Sequence, residues 1–262
     1  MGKITDALKK AAEERLKHIE KLEEQGSAKY QFVAQKTMES SIDPRIVTFY
    51  DSKAPVAEQY RTLRTNLQSI KTEKPIKAIV ITSSNHSEGK TITSINLALS
   101  MAHDLNNKSI LLVDADMRRG SVHKYLGIKP EAGLADILSD SANIDNCLLN
   151  IGVNNLTILP AGKIPHNPAE LLGSQKMKNL LSALRSKYDY VILDTPPIIP
   201  VTDAGLLSSQ SDGAIMVVQA GRTQKGVVMH SESILRQAQA KILGCILTNV
   251  QYHIPGYLYR YL

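Results

Sequence analysis

The stretch Lys77–Ala98, KAIVITSSNHSEGKTITSINLA, decides the fold. It opens on an apolar, β-branched run, Ala78-Ile79-Val80-Ile81-Thr82, which predicts a buried strand. A polar loop, Ser83 to Gly89, follows, and Lys90-Thr91 stands at the start of a helical pattern. Strand, loop, Gly-Lys-Thr and helix is the layout of a phosphate-binding loop. Backbone N–H groups of the loop and of the helix N-terminus converge on one spot and suit an anion there. Ser84, Asn85, His86, Ser87, Glu88, Gly89, Lys90, Thr91 and Ile92 are the candidate nucleotide-binding residues. Lys90 would reach the β- and γ-phosphates of ATP, and the Thr91 hydroxyl would sit on Mg²⁺. The general pattern has glycine where this chain has Ser84. The competing reading is a chance Gly-Lys-Thr after a strand, and the rest of the chain weighs against it.

Outward from the loop, the same signals repeat. Ser109–Asp114 (SILLVD) is a second apolar run, and it ends in Asp114-Ala115-Asp116-Met117-Arg118. Carboxylates at the C-terminal tip of a strand lie where open parallel sheets bind ligands. Asp114 and Asp116 are candidates for metal and proton-accepting roles. Leu156–Pro160 is a third run, and Tyr190–Asp194 (YVILD) a fourth. Asp194, at the end of its strand, has the placement of a Walker B carboxylate holding Mg²⁺ directly or through water. Gly213–Gln219 and Ile242–Asn249 make six, with a helix around 224–238 between them. Six buried strands alternating with helices predict an α/β, doubly wound, mostly parallel sheet. The phosphate loop after its first strand, with no G-x-G-x-x-G, favours a P-loop NTPase over a dinucleotide fold. Between strands, Asn167-Pro168-Ala169-Glu170 predicts a helix start with Asn167 as N-cap and Glu170 as its capping-box partner.

Upstream, Pro55 opens a helical pattern whose apolar face is Val56, Tyr60, Leu63, Leu67 and Ile70. Glu58, Arg61 and Arg64 fall three apart beside that face. Such a set suits an intersubunit ion pair, because guanidinium binds carboxylate bidentately. It also suits a simple intrahelical pair. Ile46–Tyr50 is a candidate short strand. Residues 1–25 carry Ile4, Leu8, Ala12, Leu16 and Ile19 at helical spacing, with six basic and six acidic residues. A membrane-surface helix is normally basic on its polar face, so this one points to a protein partner, against the alternative of a solvated helical extension with a modest apolar stripe. The expected organisation is an amphipathic helical extension over 1–25, a linker over 26–45, the α/β domain over 46–250 and a tail over 251–262. That tail holds Tyr252, Tyr257, Tyr259 and Tyr261, four of the chain's ten tyrosines. Beside an ATP site, such a cluster reads as phosphoacceptors, against the alternative of an aromatic tail packing on a neighbour.

Composition sets the outer limits. At 262 residues, 43% hydrophobic and 21% charged, the chain suits one soluble domain with an extension. No apolar run reaches the ~20 residues of a membrane span, and MGKITDALKK lacks the apolar core of a secretory signal. Position 6 is Asp6, so the myristoylation pattern fails. Cys147 and Cys245 lack metal-ligand spacing and read as buried free thiols of a reducing cytoplasm. A net charge of +6 without a dense Lys/Arg stripe argues against nucleic acid.

Taken together, residues ~46–262 resemble the bacterial protein-tyrosine kinases of capsule and exopolysaccharide synthesis, the BY-kinases, in their stand-alone cytoplasmic form. The motifs that carry the resemblance are the Walker A loop Ser83–Thr91, a Walker A′ box ILLVDADMR at Ile110–Arg118 and a Walker B box VILDTPP at Val191–Pro197. The Glu58-x-x-Arg61-x-x-Arg64 motif, Asn167–Leu172 and the tyrosine tail join them. The resemblance implies ATP-dependent autophosphorylation of the tail in trans within a ring-like homo-oligomer joined through Glu58, Arg61 and Arg64. It implies catalytic roles for Lys90, Asp114, Asp116 and Asp194, metal binding by Thr91, Asp116 and Asp194, and an adenine contact from Asn249. It also implies activation by a membrane chain-length regulator (a polysaccharide co-polymerase) that recruits the protein to the inner face of the plasma membrane, and a cognate tyrosine phosphatase. The chain departs from the family's Pro-Gly-Glu-Gly-Lys at His86 and Ser87, and from a common proline at Gly120. A serine at position 87 strains the loop if φ is positive there. Two other functions compete. One is a MinD/ParA-like ATPase positioning a membrane or DNA cargo, whose signature lysine is Asn85 here. The other is a non-catalytic adaptor gated by nucleotide.

Overall fold

Alternating side chains of a strand face opposite ways, so a strand buried on both faces must be apolar throughout. The central runs meet that condition. The computed structural model describes residues 42–72, 75–104 and 106–250. In chain order its elements are α1 (Val47–Tyr50), α2 (Pro55–Ser69), β1 (Ala78–Ser83), α3 (Lys90–Ala102), β2 (Ile110–Asp114), α4 (Val122–Tyr125) and α5 (Leu134–Leu138). They continue with β3 (Leu149–Asn150), β4 (Leu156–Leu159), α6 (Pro168–Gly173), α7 (Gln175–Lys187), β5 (Tyr190–Asp194), α8 (Asp203–Gln210), β6 (Gly213–Gln219), α9 (Lys225–Gln237) and β7 (Ile242–Thr248). The strands form one sheet in the order β3-β4-β2-β5-β1-β6-β7. Every pairing is parallel except β3 with β4.

The pleat divides the core in two. Ala78, Val80, Leu111, Val113, Val191 and Leu193 face a cluster completed by Leu134, Leu172, Leu181, Leu207 and Leu235 from α5 to α9. Ile79, Ile81, Ile110, Leu112 and Ile192 face the other side, against Ile95, Leu97 and Leu99 of α3 and Leu67 of α2. α3 is buried on nearly every side, so its polar residues need internal partners. Asn96 supplies one set: its Oδ1 accepts from Thr48 N at 3.0 Å and Thr48 Oγ1 at 2.8 Å, which pins α1 to α3.

Several expectations are corrected. Val47–Tyr50 is helical: Thr48 docks on Asn96, and among the described residues no strand pairs with it. β3 escapes sequence reading: it is two residues long at the sheet's antiparallel edge. β7 is apolar but none of its residues is buried, since it is the sheet's other edge among the described residues. Cys245, on that strand, is exposed, whereas Cys147 is buried. On α2 the buried positions are Ala57 and Leu67, and Val56 is exposed. Pro168 opens α6, but Asn167 makes no cap; its Nδ2 donates to Glu170 Oε2 at 3.0 Å. Residues 1–41 and 251–262 lie outside the described residues, and with them the expected amphipathic helix and all four tail tyrosines. No described helix is long and apolar enough to cross a membrane.

Candidate functional site

The strand order sets β1, β5 and β2 side by side, so their carboxyl ends open on one rim. The register makes Asp114 and Asp194 direct partners, with Ile81 on the far side of Asp194. The loop leaving β1 runs over that rim into α3. Gly89 precedes the helix at φ +94, a conformation that favours glycine, and a Cβ there would come within 3.3 Å of Thr248 Cγ2. Ser87 has φ +64. The chain thus places serine in the left-handed region at the position where the resembling family has glycine. Ser84, at the pattern's missing glycine, is fully buried, and its Oγ accepts from Ser231 Oγ of α9 at 2.9 Å. The serine is accommodated by packing away from the loop's concave side. Gly120 serves the turn after β2. A Cβ there would lie 2.7 Å from Ala161 Cβ and 3.0 Å from Asp114 Oδ2, which accounts for its lack of a side chain.

Between this loop and that turn lies a cavity of about 340 Å³. His86, Ser87, Gly89, Lys90, Thr91, Ile92 and Asp116 line it, together with Arg45, Arg119, Ser121 and Tyr125. The cavity floor is a continuous polar network. Thr91 Oγ1 donates to Asp194 Oδ2 at 2.7 Å, and Ser94 Oγ to Asp194 Oδ1 at 3.1 Å. Lys90 Nζ donates to Asp116 Oδ2 at 3.2 Å. Asp114 accepts the backbone N–H of Asp116 at 3.3 Å and of Val122 at 3.1 Å. Arg118 grips the buried Asp203 with two bonds, of 2.9 and 3.0 Å, and so anchors the turn to α8.

Burial and neighbouring charge perturb Asp114, Asp194 and Lys90. Burial, then the charge of Asp194, pushes Asp114 up to about 8. Burial also raises Asp194, against the pull of Lys90 and the donated bonds of Thr91 and Ser94. Burial alone would lower Lys90, but the charges of Asp194 and Asp116 outweigh it and raise it. Lys90 is therefore a fixed cation in the cavity wall. Thr91 and the carboxylates of Asp116 and Asp194 are hard oxygen donors. Mg²⁺ suits such a set, since it takes one or two carboxylates beside phosphates and keeps several waters. Among the described residues no group of three or more His, Cys, Asp or Glu forms a closed metal site.

The structure thus gathers Lys90, Thr91, Asp114, Asp116 and Asp194 at one rim. Asn85, Glu88 and Asn249 lie outside the cavity lining, as does Ser84, and Asp114 and Asp194 are fully buried behind it, reached through Thr91 and the backbone of the turn after β2. Asn249 is exposed, at φ +53, immediately beyond β7. Glu58 and Arg61 pair with each other along α2, Arg61 Nε donating at 2.7 Å, and Arg61 Nη1 donates to Ser52 O. Arg64 Nη1 donates to Ser100 O at 2.6 Å. Sequence reading missed Arg45, Arg119, Ser121 and Tyr125; Arg119 and Ser121 stand just beyond the Ile110–Arg118 box, whereas Arg45 and Tyr125 are brought in by the fold alone. Arg45 stacks over the Tyr125 ring at 5.1 Å, and Asp43 binds its guanidinium at 2.7 and 2.9 Å.

The AAA domain family matches residues 76–241, more than half of the chain. The tyrosine-protein kinase YwqD of Bacillus subtilis is 35% identical over 212 residues, covering 81% of this chain and 89% of that protein. The tyrosine-protein kinase CpsD of Streptococcus agalactiae is 35% identical over 201 residues, covering 76% and 86%. The crystal structure of the chimerical protein CapA2B2 superposes with a TM-score of 0.76 at 30% identity, covering 80% of this chain and 93% of that one. The kinase domain of the Escherichia coli tyrosine kinase ETK gives 0.74 at 27%, covering 88% and 90%. The cell division ATPase MinD of Pyrococcus furiosus shares the fold, with a TM-score of 0.57 at 23% identity, covering 69% of this chain and 76% of that one.

Proposed function

This chain belongs to the family of bacterial tyrosine-protein kinases, and from that premise we propose that it transfers the terminal phosphate of ATP to its own C-terminal tyrosines. The observation that supports this most is the joining of Lys90, Thr91, Asp116 and Asp194 by hydrogen bonds around one cavity at three adjacent strand ends. Phosphoryl transfer asks chiefly for positioning and charge neutralisation, and this set supplies both.

Each residue has a role in that reading. The backbone of His86–Thr91 cradles the phosphates, and Lys90 turns its ammonium from Asp116 to the transferring group. Thr91, Asp116 and Asp194 hold Mg²⁺, which neutralises charge on the β- and γ-phosphates when bound. Asp114 orients the acceptor hydroxyl or takes its proton, a task suited to a carboxyl raised toward neutrality by its surroundings. Asn249 contacts the adenine. Tyr252, Tyr257, Tyr259 and Tyr261 of a neighbouring copy are the acceptors, in a ring joined through Glu58, Arg61 and Arg64. A membrane chain-length regulator recruits the kinase from the cytoplasm to the membrane's inner face and activates it, a phosphatase resets it, and the cycle controls assembly and export of capsule or exopolysaccharide.

The test is mass spectrometry of the purified protein after incubation with ATP and Mg²⁺, beside Lys90→Met. Phosphate on the tail tyrosines, absent in the variant, is the expected result. Steady ATP hydrolysis with no phosphorylated tyrosine, unchanged by an added activator segment, would favour the MinD/ParA-like reading instead.

A further inference from the structure

Glu88 is a carboxylate in a loop built for anions. Its neighbours Ser87 and Gly89 both line the phosphate cavity, and Glu88 does not. The residue is 2% exposed and forms no salt bridge among the described residues. Its bonds come from neutral groups. The backbone N–H of Asn85 donates to Oε2 at 3.1 Å, and Thr223 Oγ1 donates to Oε1 at 2.5 Å. The Glu88 peptide is held as well: Thr248 Oγ1 donates to its carbonyl at 2.7 Å. Thr223 lies in the turn between β6 and α9, and Thr248 is the last residue of β7. A Cβ on Gly89 would meet Thr248, so the loop and the end of β7 are already in close approach.

We propose that Thr223 and Thr248 are positioning residues for the nucleotide, acting through Glu88. Thr223 turns the carboxylate out of the phosphate cavity, and Thr248 fixes the peptide from which it projects. A carboxylate released into that cavity would oppose the phosphates at short range, where Coulomb repulsion is poorly screened. The tethers also couple the phosphate loop to the root of the C-terminal segment, since Thr248 stands three residues before Gln251. This inference rests on the loop being a nucleotide site.

Titration of the full-length protein with ATP and with ADP, both with Mg²⁺, tests it. Thr223→Val is expected to weaken ATP binding about tenfold, as loss of a hydrogen bond to a charged group does. The loss is expected to be larger for ATP than for ADP, which carries less charge, and Thr223→Ser to restore affinity. The decisive arm is Thr223→Val with Glu88→Gln. If Thr223 restrains a charge, removing the charge suppresses its defect, and the double variant binds ATP like Glu88→Gln alone. Thr248→Val is expected to weaken ATP binding in the same direction. ATP affinity unchanged in Thr223→Val, or losses that multiply in the double variant, overturns the proposal. No ATP binding by the unaltered protein instead overturns the nucleotide reading, and the first titration separates the two.

Discussion

The rim of the sheet and the outer face of α2 carry the same kinds of side chain, carboxylates beside cations, and the fold treats them differently. At the rim every carboxylate is buried, and each has a partner from another element: Thr91 and Ser94 for Asp194, Lys90 for Asp116, the Val122 backbone for Asp114. On α2 the Glu58 side chain is 62% exposed, and Arg61 meets it three residues along the same helix. A buried polar group left unpaired is costly, so each bond at the rim is a constraint on the fold. An exposed i,i+3 pair is screened and contributes little to the chain that holds it. Buried charge at the rim therefore marks a site within one chain. Exposed charge on α2 carries no such mark, because a solvated helix face holds charged side chains whether or not anything outside the chain uses them.

The contrast breaks most sharply at Lys90. Lys90→Met removes the one ammonium among three carboxylates. It is expected to lower tyrosine phosphorylation by at least about two to three orders of magnitude, the scale for losing one preorganised charge-stabilising donor. Phosphate incorporation under single-turnover conditions measures it. A loss of less than tenfold would mean that the rim is not where phosphate is transferred.

Asp114 gives a second test, on stability. Its carboxyl is raised to about 8, chiefly by burial and by Asp194. Between its unfolded value and about 8 the folded protein holds a proton that the unfolded chain has released, so stability falls as pH rises through that window. The slope from this group is at most ~1.4 kcal/mol per pH unit. Melting temperatures of nucleotide-free protein are expected to drop from pH 5 to pH 8, and Asp114→Asn to flatten that drop. An equally steep fall in the variant would place the titrating group elsewhere. Comparable scans of an α2 variant should leave the slope untouched, because the Glu58 carboxyl is held low by Arg61 and stays ionised across this range.

How much of this was legible beforehand follows from burial. The central strands, the loop and the three aspartates could be read because a strand buried on both faces admits only apolar residues until its polar tip. Asp114 and Asp194 stand at such tips, and parallel register then brings them together. The edges were read less well. β7 has the composition of a core strand without its burial, β3 is too short to carry a period, and α1 is set by a single asparagine on α3. The far wall of the cavity was not legible. Arg45 and Tyr125 belong to no motif and reach the site only through the packing around α1 and α4, whereas Arg119 directly follows the Ile110–Arg118 box. Ser84 read as a flaw, because its partner Ser231 lies on a distant helix.

Ser87 tests the loop side of the rim on a smaller scale. At φ +64 a serine is strained relative to glycine, though glycine costs more entropy on folding. Ser87→Gly is therefore expected to raise stability by about 1 kcal/mol or less, with a modest gain in ATP affinity. Thermal unfolding and titration measure the two together. A fall in both would mean that the Ser87 side chain itself serves the cavity it lines.

The smallest effect on the isolated chain is expected at Glu58. Its bond to Arg61 is exposed and local, so Glu58→Gln should leave the melting temperature of the monomer unchanged. Arg61 would keep its bond to Ser52 O, and Arg64 its bond to Ser100 O, so α2 would remain docked on α3. If those side chains join neighbouring copies, the same substitution should move the protein toward monomer in light scattering across a concentration series. Tail phosphorylation in trans should fall with it, while ATP affinity stays constant. Each measurement isolates one link: stability reports the chain, scattering the assembly, titration the rim. An oligomer that survives the loss of Glu58 and of both arginines would assign assembly to another surface. The pairing on α2 would then be no more than the intrahelical contact that it makes in one copy.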